Sequence, residues 1–235
     1  ILTHSWRFGR DDLSVGGFGE VADLFAGYES VSGTSVDPEA VRFWQIFGSF
    51  WWSVGCLGMA EHYRNGPDKT VERPAVGRRS SECQVDCVNL LIPGSVVLEQ
   101  PQTAAAAMPG MDELLTSVSD FLRDDVMAHT QGRLQFLARV AANSLDIVKR
   151  EQTLAAPCLV NEEKRLRELF SEREDSTLAL DDLRWRLVYA LRDGSMVLDS
   201  ELLHAHLRAT VVNQIAIDQP RYAGFKTATS EANTT

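Results

Sequence analysis

Apolar residues recur every three to four positions along most of this chain, which predicts an all-α protein. In residues 20–30, Val21, Leu24, Phe25 and Tyr28 fall at helical spacing, and Gly33 follows as a stop signal. Asp37–Pro38 then marks a strong start. The carboxylate can cap free backbone N–H groups, and proline sits where its missing donor costs nothing. The helix it opens is expected to run to about Tyr63, ahead of Asn65–Gly66–Pro67. With Phe43, Trp44, Phe47, Phe50, Trp51, Trp52 and Leu57 it is apolar nearly all round, the pattern of a central, buried helix. Trp44, Trp51 and Trp52 could line a hydrophobic substrate groove, but Trp44 and Trp51 share a face, as core packing also requires, and core packing is favoured for the three. Gly48, Gly55 and Gly58 would let a neighbouring helix approach closely. A weaker helix covers 75–91, and residues 1–19 have no period, only a turn at Gly16–Gly17.

The pattern lapses over 93–110 (PGSVVLEQPQTAAAAMPG), which reads as a linker, and resumes beyond it. Amphipathic stretches at 111–128, 131–156, 161–172, 177–192 and 199–218 predict a bundle of about five helices. Asn161 would cap the third of these and Gly194 would end the fourth. Residues 223–235 are small and polar, and a disordered tail is expected there.

Charge narrows the partners. Residues 1–92 carry 8 basic and 12 acidic side chains, and the remainder carry 15 and 21, for a net charge of −10. With no basic patch to neutralise phosphates, neither nucleic acid nor an anionic membrane surface is an expected partner. The most apolar run, 43–60, is interrupted by Gln45, Ser49 and Ser53 and is not expected to span a membrane. Cys56, Cys83, Cys87 and Cys158 are too few and too irregular for a disulfide framework or a metal site. They read as reduced thiols, which fits a cytoplasmic protein. The first residue is Ile1 rather than Met, which suggests further sequence upstream.

Two stretches carry a family resemblance. WRFGRDDLSVGGFGE (6–20), VDPEAVRFWQIFGSFWWSVGCLGMAEHYRNG (36–66) and GRRSSECQVDCVNLL (77–91) resemble the C-terminal part of aminoglycoside-phosphotransferase-like kinases, in the branch related to acyl-CoA-dehydrogenase-linked phosphotransferases. Residues 111–222, with GRLQFLARVAANSLDIVKRE (132–151) and LRATVVNQIAIDQPRY (207–222), resemble a helical domain of unknown function commonly appended to such kinases. The resemblance implies partial kinase-like C-lobe helices in 1–92 followed by the bundle. An intact relative would transfer a phosphoryl group from ATP, with magnesium, to a hydroxyl of a small acceptor. That chemistry needs a nucleotide lobe, an H-x-D-x-x-x-x-N loop and a second metal-binding Asp. None of the five histidines begins an H-x-D, so no catalytic residue carries over, and this chain by itself should bind neither ATP nor magnesium.

The resemblance places the segment at Trp6 and Arg7 beside the acceptor pocket, making these two the candidates for acceptor contact. The plainer alternative is a packed Trp with an Arg at its rim. Asn143, polar amid the apolar VAANSL, could fix helix register through a buried hydrogen bond or line a small-molecule pocket. His204 and His206, two apart on a helix, cannot share a metal, and one should face the bundle. Gly16–Gly17–Phe18–Gly19 lacks the spacing of a phosphate loop. Two functions remain: the C-terminal portion of such a kinase, inactive alone, or a non-catalytic helical binding or scaffold module. The first would be truncated or split, and the second would work beside a separately encoded kinase lobe, so a missing kinase lobe in trans is a candidate partner. If the chain stands alone, the Trp-rich helix should leave an apolar patch and favour a homodimer.

Overall fold

In a computed structural model, residues 1–101, 110–171 and 177–229 are described, and among them the architecture is all-α. A 3-10 turn, His4–Arg7, precedes α1 (Val21–Ser32), α2 (Pro38–Asn65), α3 (Glu72–Arg78) and α4 (Ser80–Leu91). Then come α5 (Met111–Asp120), a π-helical turn (Phe121–Val126), α6 (Met127–His129), α7 (Gly132–Leu169), α8 (Leu180–Asp193), α9 (Glu201–Asp218) and α10 (Ala223–Thr229).

Local signals set several boundaries as expected. The Asp37 side chain accepts the Glu39 N–H at 3.0 Å, with Pro38 at the first helical position. Gly33 and Gly194 end α1 and α8 in the left-handed region, at φ +68° and +76°, where a side chain would be strained. Glycines 16 and 17 form a turn closed by the Val15–Gly19 bridge.

The expectation of a buried aromatic core in α2 is overturned. Its inward face is the small-residue seam Ser49, Ser53 and Cys56, which lets α4 pack closely; Ser53 Oγ and Ser80 Oγ are 2.8 Å apart. The large side chains therefore project from the opposite face, with Trp44 63% and Trp51 62% exposed. Nor do the α2 glycines admit the neighbouring helix. Gly58 faces open space, Gly55 meets only Trp52 of its own helix, and Gly48 abuts Thr3. The close approach is made by Gly77 of α3, where an added Cβ would lie 2.7 Å from the Ala60 Cβ.

In the second half, the two helices expected at 131–156 and 161–172 are one 38-residue helix, α7. Asn161 is therefore not a cap, and its side chain donates to Glu99 at 2.6 Å. Pro157 gives up one backbone bond, but it is buried, and α7 packs along α9 on both sides of it, so tertiary contacts carry the helix through. The break comes earlier, at the π-helical turn within the expected 111–128 helix. The bundle thus has three long helices, α7, α8 and α9, with α5, α6 and α10 shorter. The expected disordered tail, 223–235, is helical over Ala223–Thr229, because Phe225 and Ala228 pack on the core, and residues 230–235 lie outside the described residues.

Two apolar clusters hold these elements. Leu166, Leu183, Leu187 and Leu203 join α7, α8 and α9. Val85, Val212, Ile215 and Ala228 join α4 to α9 and α10, with Val96 and Leu98 of the irregular segment after α4 packed against them. Most of the expected linker, residues 102–109, lies outside the described residues. The α4–α9–α10 cluster brings the N-terminal segment against the bundle, and a cleft opens where they meet.

Candidate functional site

The cleft has a volume of about 740 Å3 and is bounded by the 3-10 turn, α2, α3, α7 and the turn between α9 and α10. Its apolar wall is aromatic. Trp6 stacks at a tilt on Trp52, with ring centroids 5.8 Å apart, and Phe8 meets Trp6 edge-on at 6.1 Å. Phe136 of α7 faces the same space. Trp6 is 44% exposed, so this wall offers a ring face to a ligand.

At one end lies a partly buried polar relay. Asp86 of α4 accepts from the Tyr222 hydroxyl at 2.6 Å and lies 3.2 Å from His4 Nδ1, while His4 Nε2 is 3.3 Å from Asp11. Burial opposes charge on His4, but the hydrogen bond and charge of Asp86, joined by Asp11, outweigh it and hold its pKa above the usual value. Burial, reinforced by Asp86, keeps the Tyr222 phenol protonated far above its ordinary range.

Arg78, Arg79 and Arg150 line the other side, each tied to protein acceptors, and the exposed Arg221 lines it as well. Arg78 pairs with Asp218 at 2.9 Å and Glu151 at 2.8 Å. Arg79 forks onto Glu82 at 3.1–3.2 Å, and Arg150 donates to the carbonyls of Ile217 and Asp218. Burial raises the pKa of Glu82, opposed by Arg79, and likewise that of Asp218. The cleft is therefore polar and nearly charge-balanced beside an aromatic wall. It is suited to hold a small molecule with a ring face and several hydrogen-bonding groups. Among the described residues it presents no nucleophile paired with a base: Ser144 donates to the Val140 carbonyl, and Ser5 contacts the Cys83 sulfur. Among the described residues, no group of three His, Cys, Asp or Glu side chains is arranged to hold a metal ion.

Of the sequence candidates, the cleft brings together Trp6 and Asn143. Asn143 is exposed, not buried. It lines the rim and accepts from Arg123 at 3.4 Å, because the π-helical turn swings Arg123 onto α7, where it also pairs with Asp146 at 2.6 Å. Arg7 is not part of the cleft lining; its Nε is buried without a partner. His4, Asp86, Arg150 and Tyr222 carry no sequence signal, since they meet only through long-range folding. The Arg78–Arg79 doublet in an acidic chain was the one visible hint. Of the histidine pair, His206 is buried and His204 bonds the Leu198 carbonyl at the surface.

The family model of a domain of unknown function, DUF6285, matches residues 128–222, which run through α7, α8 and α9. No curated protein matches the chain, and no solved structure does. No described helix is long and apolar enough to cross a membrane.

Proposed function

We propose that this chain is the acceptor-holding part of an aminoglycoside-phosphotransferase-like kinase, and that the cleft binds a small hydroxylated molecule. The observation that carries this reading is the position of Trp6. The W-R-F-G segment, which by resemblance borders the acceptor, forms the exposed aromatic wall of a cleft large enough for a small molecule. The Trp6–Trp52 wall suits the face of a sugar or aminocyclitol ring, and the carboxylates and arginines around it suit its hydroxyl and amino groups.

The residues present do not fit a nucleotide–magnesium complex. The chain has no H-x-D-x-x-x-x-N and, among its described residues, no acidic cluster for the metal, so no transfer step is assigned to it. On this reading the chain binds the acceptor, and phosphoryl transfer belongs to residues outside these 235, in cis or in trans. A cytoplasmic setting follows from the need for ATP and agrees with four free thiols.

The test has two arms. Titration of the chain with sugars and aminocyclitols, followed by tryptophan fluorescence, should give saturable quenching, and Trp6→Ala should weaken it about tenfold. The gene product isolated from its own cells should transfer phosphate from ATP to whichever compound binds. Binding without transfer would leave a non-catalytic binding module as the function, and no binding would end the acceptor reading.

A further inference from the structure

A second cavity, of about 310 Å3, lies within the bundle between α7, α8 and α9, wholly inside residues 128–222. Ala155, Leu159 and Ile217 form its apolar side, and Arg165, Thr210 and Asn213 its polar side. Two donors on that polar side are buried without a protein partner: Asn213 Nδ2, on a residue 4% exposed, and Arg165 Nε.

The charges around the cavity are unevenly satisfied. Glu162 is held fork to fork by Arg184, with both contacts at 2.7 Å, and Glu151 is held by Arg78 at 2.8 Å. Arg165 has only the Thr210 hydroxyl at 3.4 Å and Glu99 at 4.0 Å, and the other oxygen of Glu99 is taken by Asn161. It is the least neutralised cation of the wall. Buried donors left unmade cost free energy that an incoming acceptor recovers. A single water could serve one of them, but the space is roughly ten times the volume of a water molecule and reaches the lower end of small-ligand pockets.

We infer that this cavity is a binding site for a small oxyanion ligand, a carboxylate or phosphate monoester with a short apolar body. Its oxygens accept from Asn213 Nδ2 and Arg165 Nε, and its carbon chain lies against Leu159, Ala155 and Ile217. The inference does not depend on the acceptor reading of the larger cleft, from which this cavity is divided by the Glu151–Arg78–Asp218 ion pairs.

Heteronuclear NMR of the whole chain tests it, with butyrate, butyl phosphate and the neutral isostere butyramide as probes. At least one anion should shift the Asn213 side-chain amide and the Arg165 Nε–H signals saturably, and should bind about tenfold or more tighter than butyramide. Arg165→Gln, which keeps donors but removes the charge, should weaken that anion about tenfold. The two anions separate a carboxylate site from a phosphate site. The inference is overturned if neither anion moves those signals, or if butyramide binds the wild-type chain as well as they do. The latter comparison needs no variant to fold.

Discussion

Protonation of His206 offers a direct measure of how tightly the bundle is closed. The ring lies on α9, is 4% exposed, and its Nδ1 has no hydrogen-bond partner. Burial, followed by the positive charge of Arg165, pushes its pKa down from 6.5 to about 4; Arg184 adds to the effect and Glu162 opposes it. Below pH 6.5 the unfolded chain takes up a proton that the folded chain refuses until about pH 4. The stability tied to the neutral ring is therefore complete above 6.5 and is lost as pH falls toward 4. At 1.36 kcal/mol per pH unit, the full loss is about 3 kcal/mol. The perturbation is His206→Gln, which keeps a neutral polar side chain. The assay is urea unfolding of both proteins from about pH 7.5 to about pH 4. His4, whose pKa is raised, gives stability at low pH that is lost as pH rises, and buried Glu82 and Asp218, with raised pKa values, also favour the folded state in acid. These contributions are common to both proteins and cancel in the difference. Wild-type stability relative to the variant should fall by about 3 kcal/mol across the window. A flat difference would refute the buried, neutral ring.

Three other outcomes follow from the packing. Leu166→Ala removes a side chain with no exposed surface from the α7–α8–α9 cluster and should cost about 2–5 kcal/mol in denaturant unfolding. Gly77→Ala forces a methyl group into Ala60 of α2, and thermal unfolding should show a loss of about 1–3 kcal/mol; an unchanged midpoint would mean the two helices do not meet there. The exposed strip of Phe43, Trp44, Phe47, Phe50 and Trp51 should drive concentration-dependent self-association, relieved by Trp51→Glu, and a clean monomer by sedimentation at every concentration would refute it.

What was legible in the sequence was what is decided locally. The Asp37–Pro38 start and the glycine stops at 33 and 194 depend on a few neighbouring residues, and the structure uses them as such. What was not legible depended on partners. Hydrophobicity pointed to the aromatic side of α2 as its core face, but helix contact there is governed by the size of the inward residues. Ser49, Ser53 and Cys56, which a hydrophobic count passes over, admit α4, and no large aromatic could sit there without forcing the two helices apart. The same logic runs through α7, where Pro157 and Asn161 look like an end and a new start, yet contact with α9 overrides both.

The larger cleft follows from these partnerships. His4 reaches Asp86 across 82 positions, and Tyr222 reaches the same carboxylate across 136, so no spacing rule could have joined them. Trp6 was found through a family likeness and Asn143 through its polarity among apolar neighbours. They nonetheless line one wall and one rim of a single space, because α4 packs on α9 and α10. The acidic surroundings of His4 then make an argument about the ligand. With Asp86 and Asp11 on its two ring nitrogens, and with Arg78 and Arg79 already matched to acids, that end of the cleft keeps one exposed cation, Arg221. On the proposed acceptor reading, a polyol there would meet the Tyr222 phenol oxygen and the half-exposed Asp11 carboxylate as acceptors. The cavity inside the bundle instead has unpaired donors and Arg165, whose carboxylate partner Glu99 is 4.0 Å away. On these two proposals the spaces take ligands of different character, although the Glu151–Arg78–Asp218 ion pairs lie between them.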